Sequence, residues 1–468
     1  MPVERPNILF AIADDWSWPH ARLYEDPVVR TPTFDRLGLE GAVFNHAYVS
    51  SPSCTPSRSA ILTGQWHWRL EESANLWSTL QSKFHVYPDL LEEAGYYVGY
   101  TGKGWGPGKL EPGQRTRNPA GPEFENFVDF LENRPDGQPF CFWFGSWDPH
   151  RPYEEGTGTS GGIEPYEIKL FSCLPDSEEI RSDVADYYRE VQRFDRDVGR
   201  LLDLLKKRGE LDNTLVVMTS DNGMPFPRCK GNLYDTGTRV PLAMRWPATI
   251  RPTRVVDDFV SLSDLAPTFL EVGGVAAPEA MTGRSLVPLL ESEASGHIDT
   301  TRSFVLTGKE RHCPAQDAPD GGGTPMRAIR TSDYLYIVNF RPDRWPAGTP
   351  NFEQAFFPGS WYGDVDNGLT KSYMIEYRDR DELHRRLFEL AFAKRPREEL
   401  YDLRSDPNQL HNVVEDEAYF EARVNLSKRL MEELKDSADP RVGKENPPFD
   451  GYPYFGGSPR KPGFTDLE

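Results

Sequence analysis

NILFAIADDW, residues 7 to 16, sets six apolar residues directly in front of two aspartates. A run this short is strand-sized, and its lack of apolar–polar alternation means that both faces are buried, as in parallel or mixed sheets covered by helices. It is also far too short to cross a membrane. Similar runs recur at YYVGY (96–100), FCFWFGSW (140–147), TLVVMTS (214–220) and PLAMRW (241–246). Between FCFWFGSW and TLVVMTS lies a helical pattern, residues 182–209, in which Val184, Tyr187, Val191, Phe194, Val198, Leu201 and Leu205 recur at three and four. Ser182 or Asp183 is the expected cap and Gly209 the terminator. The first two-thirds of the chain therefore reads as an α/β domain.

After about residue 310 the texture changes. DAPDGGGTP (317–325) is followed by strand-like RAIRTSDYLYIVNF (327–340), a turn-rich stretch over 341–370, EELYDLRSDP (398–407), an amphipathic helix at about 416–436 and an extended tail, NPPFDGYPYFGGSPRKPG (446–463). This predicts a smaller α+β subdomain, with the division placed between 1–325 and 326–468.

Composition excludes several classes of function. The chain has 468 residues, 38% of them hydrophobic, and a formal charge of −20. That balance argues against nucleic acid and anionic membranes as partners, so an anionic substrate requires locally concentrated positive charge. Five scattered cysteines form neither a disulfide framework nor a C-x-x-C metal motif. The N-terminal stretch lacks the charged region and cleavage site of a signal peptide. Its expected location is cytoplasmic or, if an export signal has been removed, extracytoplasmic.

Polar residues gather where the expected strands end: Asp14 and Asp15, Lys103 in VGYTGK, Asp148 and His150 in FGSWDPH, and Asp221 and Asn222 in TSDNG. Singly, these read as turn formers, a surface lysine and a loop histidine. In open α/β sheets, however, the carboxyl ends of the strands share one edge, where ligands bind. Three carboxylates and an amide carbonyl make an oxygen set suited to calcium or magnesium. In CTPSRSAILTG (54–64), Pro56 and Ser57 favour a helix start and Gly64 its end. Cys54 then sits at a helix N-terminus, where backbone N–H groups favour negative charge. By itself it reads as a small buried residue, a reading that Arg58 beside it weakens.

These stretches together resemble the type I, formylglycine-dependent sulfatases of the alkaline phosphatase-like superfamily. CTPSR…LTG, the aspartate pair, GYYVGYTGK, DPHRP, TSDNG and the lysine before NLYDTGTRVP carry the likeness from residue 6 to about 250, and EELYDLRSDPNQLHN resembles the family's ending. Within the family, TSDNGMPFPRCKGNLYDTGT, FGSWDPHRP and PMRAIRTSDYLYIVNF are most similar to the heparan N-sulfatases. The resemblance implies a large domain with a mixed, mostly parallel sheet and a smaller C-terminal subdomain with an antiparallel sheet. It implies that Cys54 is oxidised to formylglycine by a formylglycine-generating or anaerobic sulfatase-maturating enzyme. Its hydrate is then the nucleophile beside a calcium or magnesium ion held by Asp14, Asp15, Asp221, Asn222 and the Cys54-derived group. Arg58 orients that group, Lys103 and Lys230 clamp the sulfate, and His150 serves the leaving group. The implied substrate is an N- or O-sulfated carbohydrate, a glycosaminoglycan or similar polysaccharide cut at its terminal sugar. Glu310, Arg311 and His312 are the expected sugar contacts, and Trp105, Trp147 and Trp361 candidate stacking surfaces.

One departure stands out: where the family carries a histidine two residues after its first active-site lysine, this chain has Trp105. His67, at the far end of the cysteine-bearing helix, is a candidate substitute, with a structural role as the equal alternative. Competing readings are a phosphodiester or phosphonate hydrolase on the same scaffold, an O-sulfatase of algal polysaccharides, and a non-catalytic carbohydrate-binding relative.

Overall fold

The structure is a computed structural model and describes residues 5–465. Its main sheet is built from β1 (Asn7–Ala13), β2 (Ala42–Phe44), β3 (Tyr97–Gly102), β4 (Phe140–Gly145), β5 (Thr214–Ser220), β6 (Leu242–Arg245) and β7 (Arg254–Val256). These lie in the order β3-β4-β1-β5-β6-β2-β7, and β6 alone runs antiparallel to its neighbours. β1 is central, and every one of its residues is buried. Its alternate side chains serve opposite faces: Leu9, Ala11 and Ala13 join one core, Ile8, Phe10 and Ile12 the other. That division is the physical reason for an apolar run without alternation.

Helix α1 (Cys54–Thr63) contributes Ile61 and Leu62 to the second core. Helix α2 (Glu178–Lys207) covers the first core with Val184, Tyr187, Val191, Phe194, Val198 and Leu205. It begins a turn earlier than the sequence pattern predicts, with the Ser177 side chain accepting from the Ile180 N–H. Asp183 does not cap it, because its carboxylate is committed to Arg151, at 2.6 and 2.8 Å, and to Thr370. Leu201 is only partly buried, and Leu202 takes the core position. Gly209, at φ +74°, follows the helix end in the left-handed region, as a terminating glycine does.

The second sheet is antiparallel, in the order β8 (Phe304–Lys309), β9 (Met326–Thr331), β10 (Tyr334–Asn339) and β11 (Glu398–Asp402). Leu426, Leu430 and Leu434 of a late helix (Phe420–Asp436) pack against it. The expected division after residue 325 runs through this sheet, whose first strand precedes it. No helix among the described residues is long and apolar enough to cross a membrane.

Candidate active site

The carboxyl ends of β1, β3, β4 and β5 deliver their polar residues to one edge of the sheet. Asp15 turns the chain sharply out of β1 at φ +79°, a conformation uncommon for a non-glycine residue. Hydrogen bonds hold the turn: the Asp15 N–H donates to Asp221 Oδ1 at 3.1 Å and the Trp16 N–H to Ser220 Oγ at 2.7 Å. Backbone strain at this point is maintained by the groups that form the site.

Each buried carboxylate has a cation. Lys103 Nζ lies 2.5 Å from Asp14, Lys230 Nζ 2.8 Å from Asp15, and Arg58 Nε 2.7 Å from Asp221. Arg58 also donates to the carbonyls of Lys103 and Gly104, tying α1 to the end of β3. Burial would raise the Asp14 carboxyl, but Lys103, then His150, Arg58 and Lys230 outweigh it and hold the group well below the usual range. Burial pushes Asp15 up to about 6 against the pull of Lys230 and His150, with Asp14 and Asp221 adding to the rise.

The donor set fits a hard cation. One oxygen each from Asp14 and Asp221, with Cys54 Sγ, lie within 4.8 Å of one another. That span is about twice a calcium–oxygen distance of roughly 2.4 Å. Asn222 donates from Nδ2 to Asp15 and Asp221, at 2.6 and 2.8 Å, while its buried Oδ1 has no partner. An orphaned amide oxygen beside clustered carboxylates is an acceptor whose natural complement is a cation.

Cys54 opens α1, and the side chain of the preceding Ser53 makes no capping bond. Ser53 Oγ instead meets His312 Nδ1 at 2.8 Å. Above Cys54 is a cavity of about 460 Å³, into which Lys103, His150, Lys230 and His312 also face. His150 Nδ1 is hydrogen-bonded to the Arg151 carbonyl, which only accepts, so Nδ1 carries a proton. Nε2, 3.8 Å from Asp15, is then the ring nitrogen on the site side. Burial pushes His312 down to about 4, leaving it neutral at pH 7.

Several expectations change. Asp148 turns away to Arg193, at 2.6 Å. Glu310 is buried between Arg327 and Arg441, at 2.7 and 2.5 Å, and does not face the cavity. Arg311 is also outside it, donating to the carbonyls of Asp450, Tyr452 and Pro453. Of the expected sugar contacts, only His312 faces the cavity. His67 does not reach it either: it is buried against Ser50, 2.9 Å away, and beneath Gly308 of β8. Trp105 and Trp147 line the cavity, and Trp361 does not. Trp105 is buried, with Nε1 bonded to Ser59, whereas Trp147 is 64% exposed at the mouth.

Sequence reasoning missed other parts of the wall. Trp77, Asp366, and Gly457 and Pro459 of the tail all line the cavity. The tail is fastened on both sides: the Phe455 N–H donates to the Trp77 carbonyl at 2.8 Å, and the Trp361 N–H to the Pro459 carbonyl at 3.1 Å. An available sequence signal for Asp366 was YGDVDNG (362–368), an acidic turn ending in the same DNG that marks Asp221.

The family model described as Sulfatase matches residues 6–107 and 123–275, covering the strand-end residues and α1. The chain belongs to the sulfatase family and is, by class, a sulfuric ester hydrolase. It is similar to the N-sulphoglucosamine sulphohydrolase of Homo sapiens, at 27% identity, with 93% of this chain and 91% of that protein covered. It is likewise similar to an ulvan-active sulfatase of Formosa agariphila, at 26% identity over 93% of this chain and 81% of that protein. Among solved structures, a protein in complex with its substrate D-glucosamine-2-N,6-O-disulfate shares the fold, with a TM-score of 0.65, 22% identity, and 94% of this chain and 100% of that one covered.

Proposed function

We propose that this protein removes sulfate from a terminal sulfated sugar of a glycosaminoglycan or similar polysaccharide, using Cys54 after its maturation to formylglycine by a sulfatase-maturating enzyme. The observation that carries the reading is the placement of Cys54 at the start of α1, under a cavity that also receives two lysines and two histidines. Relatives named for N-sulfoglucosamine and for ulvan support a carbohydrate substrate.

Asp14, Asp15, Asp221 and Asn222, with the Cys54-derived group, would hold a calcium or magnesium ion, which when bound polarises sulfate oxygen and lowers the pKa of a neighbouring hydroxyl. Formylglycine at position 54, once hydrated, supplies both an attacking hydroxyl and a second one able to release the sulfate. The remaining work falls to the chain's own side chains. Arg58, fixed by Asp221 and two carbonyls, holds the start of α1 against the end of β3. Lys103 and Lys230 present ammonium groups to the cavity and stabilise charge on the sulfate oxygens. His150 donates a proton from Nε2 to the leaving oxygen or nitrogen. His312 takes the Cys54 side of the cavity, where Trp105 replaces the family's usual histidine. Residues 1–325 contain the reacting groups, and 326–468 complete the wall.

The test is release of inorganic sulfate from sulfated monosaccharides by protein co-expressed with a maturating enzyme, with an aryl phosphodiester assayed in parallel. Intact mass should show loss of the Cys54 sulfur, and Cys54→Ala should abolish turnover while leaving the fold intact. Faster turnover of the phosphodiester, or an unaltered Cys54 in active enzyme, would refute the proposal.

A further inference from the structure

A carboxylate in a pocket for an anion demands a reason. Asp366 lines the same cavity as Lys103, His150 and Lys230, with a carboxylate oxygen within 4.8 Å of Asp15 and His150, yet it stands apart from the grouping of Asp14, Cys54 and Asp221. Its closest charged partner is Lys230 Nζ at 3.5 Å, beyond a strong hydrogen bond, and that ammonium lies nearer to Asp15, at 2.8 Å. No described residue donates a hydrogen bond to Asp366, and its side chain is 22% exposed. It therefore retains acceptor capacity directed at whatever fills the cavity.

The loop that carries it is built to stay in place. Lys371 is buried behind the loop and donates to the carbonyls of Trp361, Tyr362 and Val365 and to Asn367 Oδ1. Asp364 is fixed independently by Lys309, at 2.9 Å, and by the Cys313 N–H, at 2.8 Å. Asp366 alone among the charged groups of this loop is left facing the cavity.

We propose that Asp366 is a specificity residue that accepts hydrogen bonds from hydroxyl groups of the sulfated sugar and disfavours a second anionic substituent beside the sulfate. This rests on the carbohydrate-sulfatase reading above. A fixed carboxylate attracts hydroxyl donors and repels sulfate or carboxylate, so it selects a monosulfated ring with free hydroxyls over a disulfated one. The lysines bind the sulfate that every substrate has; Asp366 reads what surrounds it.

The experiment compares kcat/KM for 4-nitrophenyl sulfate, which offers no sugar hydroxyl, with that for the best substrate in a panel of sulfated monosaccharides. The panel includes N-sulfoglucosamine and D-glucosamine-2-N,6-O-disulfate. Asp366→Asn preserves the side-chain volume and should lower the sugar-to-aryl ratio about 10- to 100-fold. Its preference for monosulfated over disulfated sugar should narrow. An equal fall on both substrates would mean that Asp366 acts only through Lys230, and would overturn the proposal, as would an unchanged mono-to-disulfate preference. Wild-type enzyme that hydrolyses the aryl sulfate and no sugar overturns the proposal but not the sulfatase class; wild-type enzyme inactive on all of them overturns the reading beneath it.

Discussion

Replacing Lys103 with methionine separates the charge of this side chain from its stem. The ammonium is the closest cation to Asp14, at 2.5 Å, and both side chains are buried. Once it is removed, the nearest remaining cation is Arg58 Nη2 at 3.9 Å, so Asp14 loses its strongest compensating charge. Breaking a buried pair from one side costs about 3–5 kcal/mol, and loss of one preorganised charge at a reacting centre costs roughly 10²–10³ in kcat. Urea denaturation in EDTA at pH 7 should therefore show Lys103→Met destabilised by about 3–5 kcal/mol, with matured enzyme slowed roughly 10²–10³-fold on an aryl sulfate. Calcium or magnesium should narrow the stability gap, because a cation at Asp14 replaces the missing charge. The sign of the pH effect follows from Asp14, which in the folded protein lies below its ordinary value of 3.8. Such a group contributes stability that is present above that value and lost as pH falls through the folded one. In Lys103→Met, burial loses its largest counterweight and lifts the Asp14 carboxyl, so the gap should be widest at neutral pH and shrink as pH falls. A variant within about 1 kcal/mol of wild type in EDTA, or within tenfold in kcat, would refute this account of Lys103.

Asp221→Asn removes one charge from the oxygen set, so activity should fall and be partly restored by excess calcium or magnesium; wild-type activity indifferent to chelators would contradict the cation assignment. His312 is held near pH 4 by burial and stays neutral across pH 5–8. His312→Gln should therefore lower the rate without removing a limb of the pH–rate profile in that range, and a vanished limb would show that His312 titrates there. On a defined sulfated oligosaccharide, product analysis should show sulfate leaving the terminal residue first; equal release from internal residues would contradict the proposed action on terminal sugars.

Much of the chemistry was legible in the sequence because it belongs to short local signals. The run before Asp14 and Asp15 is a strand buried on both faces, and one strand-end rule gathers Lys103, His150 and Asp221 as well. The start of α1 at Cys54 and its end at Gly64 follow from local turn chemistry. What sequence did not reveal depends on contacts between distant segments. Asp183 has the spacing of a cap, but Arg151, 32 positions earlier, takes its carboxylate. Glu310 and Arg311 are expected sugar contacts from the sequence, but Arg327, Arg441 and the 450–453 backbone close around them. Gly457 carries no periodic or motif signal and Asp366 only the DNG turn that it shares with Asp221, and the tertiary path of two loops is what brings them to the cavity of Cys54.

The corrected position of Arg311 links the two parts of the fold. Its guanidinium grips the carbonyls of Tyr452 and Pro453, at 2.6 and 3.1 Å, just before the tail reaches the cavity. Beyond this grip Gly456 presses against Trp77: a Cβ there would meet the indole at 2.2 Å, so only glycine lets the tail lie so close. Ser458 then pairs with Ser360 at 2.7 Å, and the tail returns to the loop that bears Asp366. Arg311 thus shapes the cavity without touching it, by fastening the segment that closes one side. The main sheet supplies groups that any sulfate would engage, whereas the tail and the Asp366 loop form the boundary that a particular sugar must fit. Changes in substrate preference should accordingly map to residues 359–367 and 454–460, and changes in the rate of sulfate release to the ends of β1, β3 and β5.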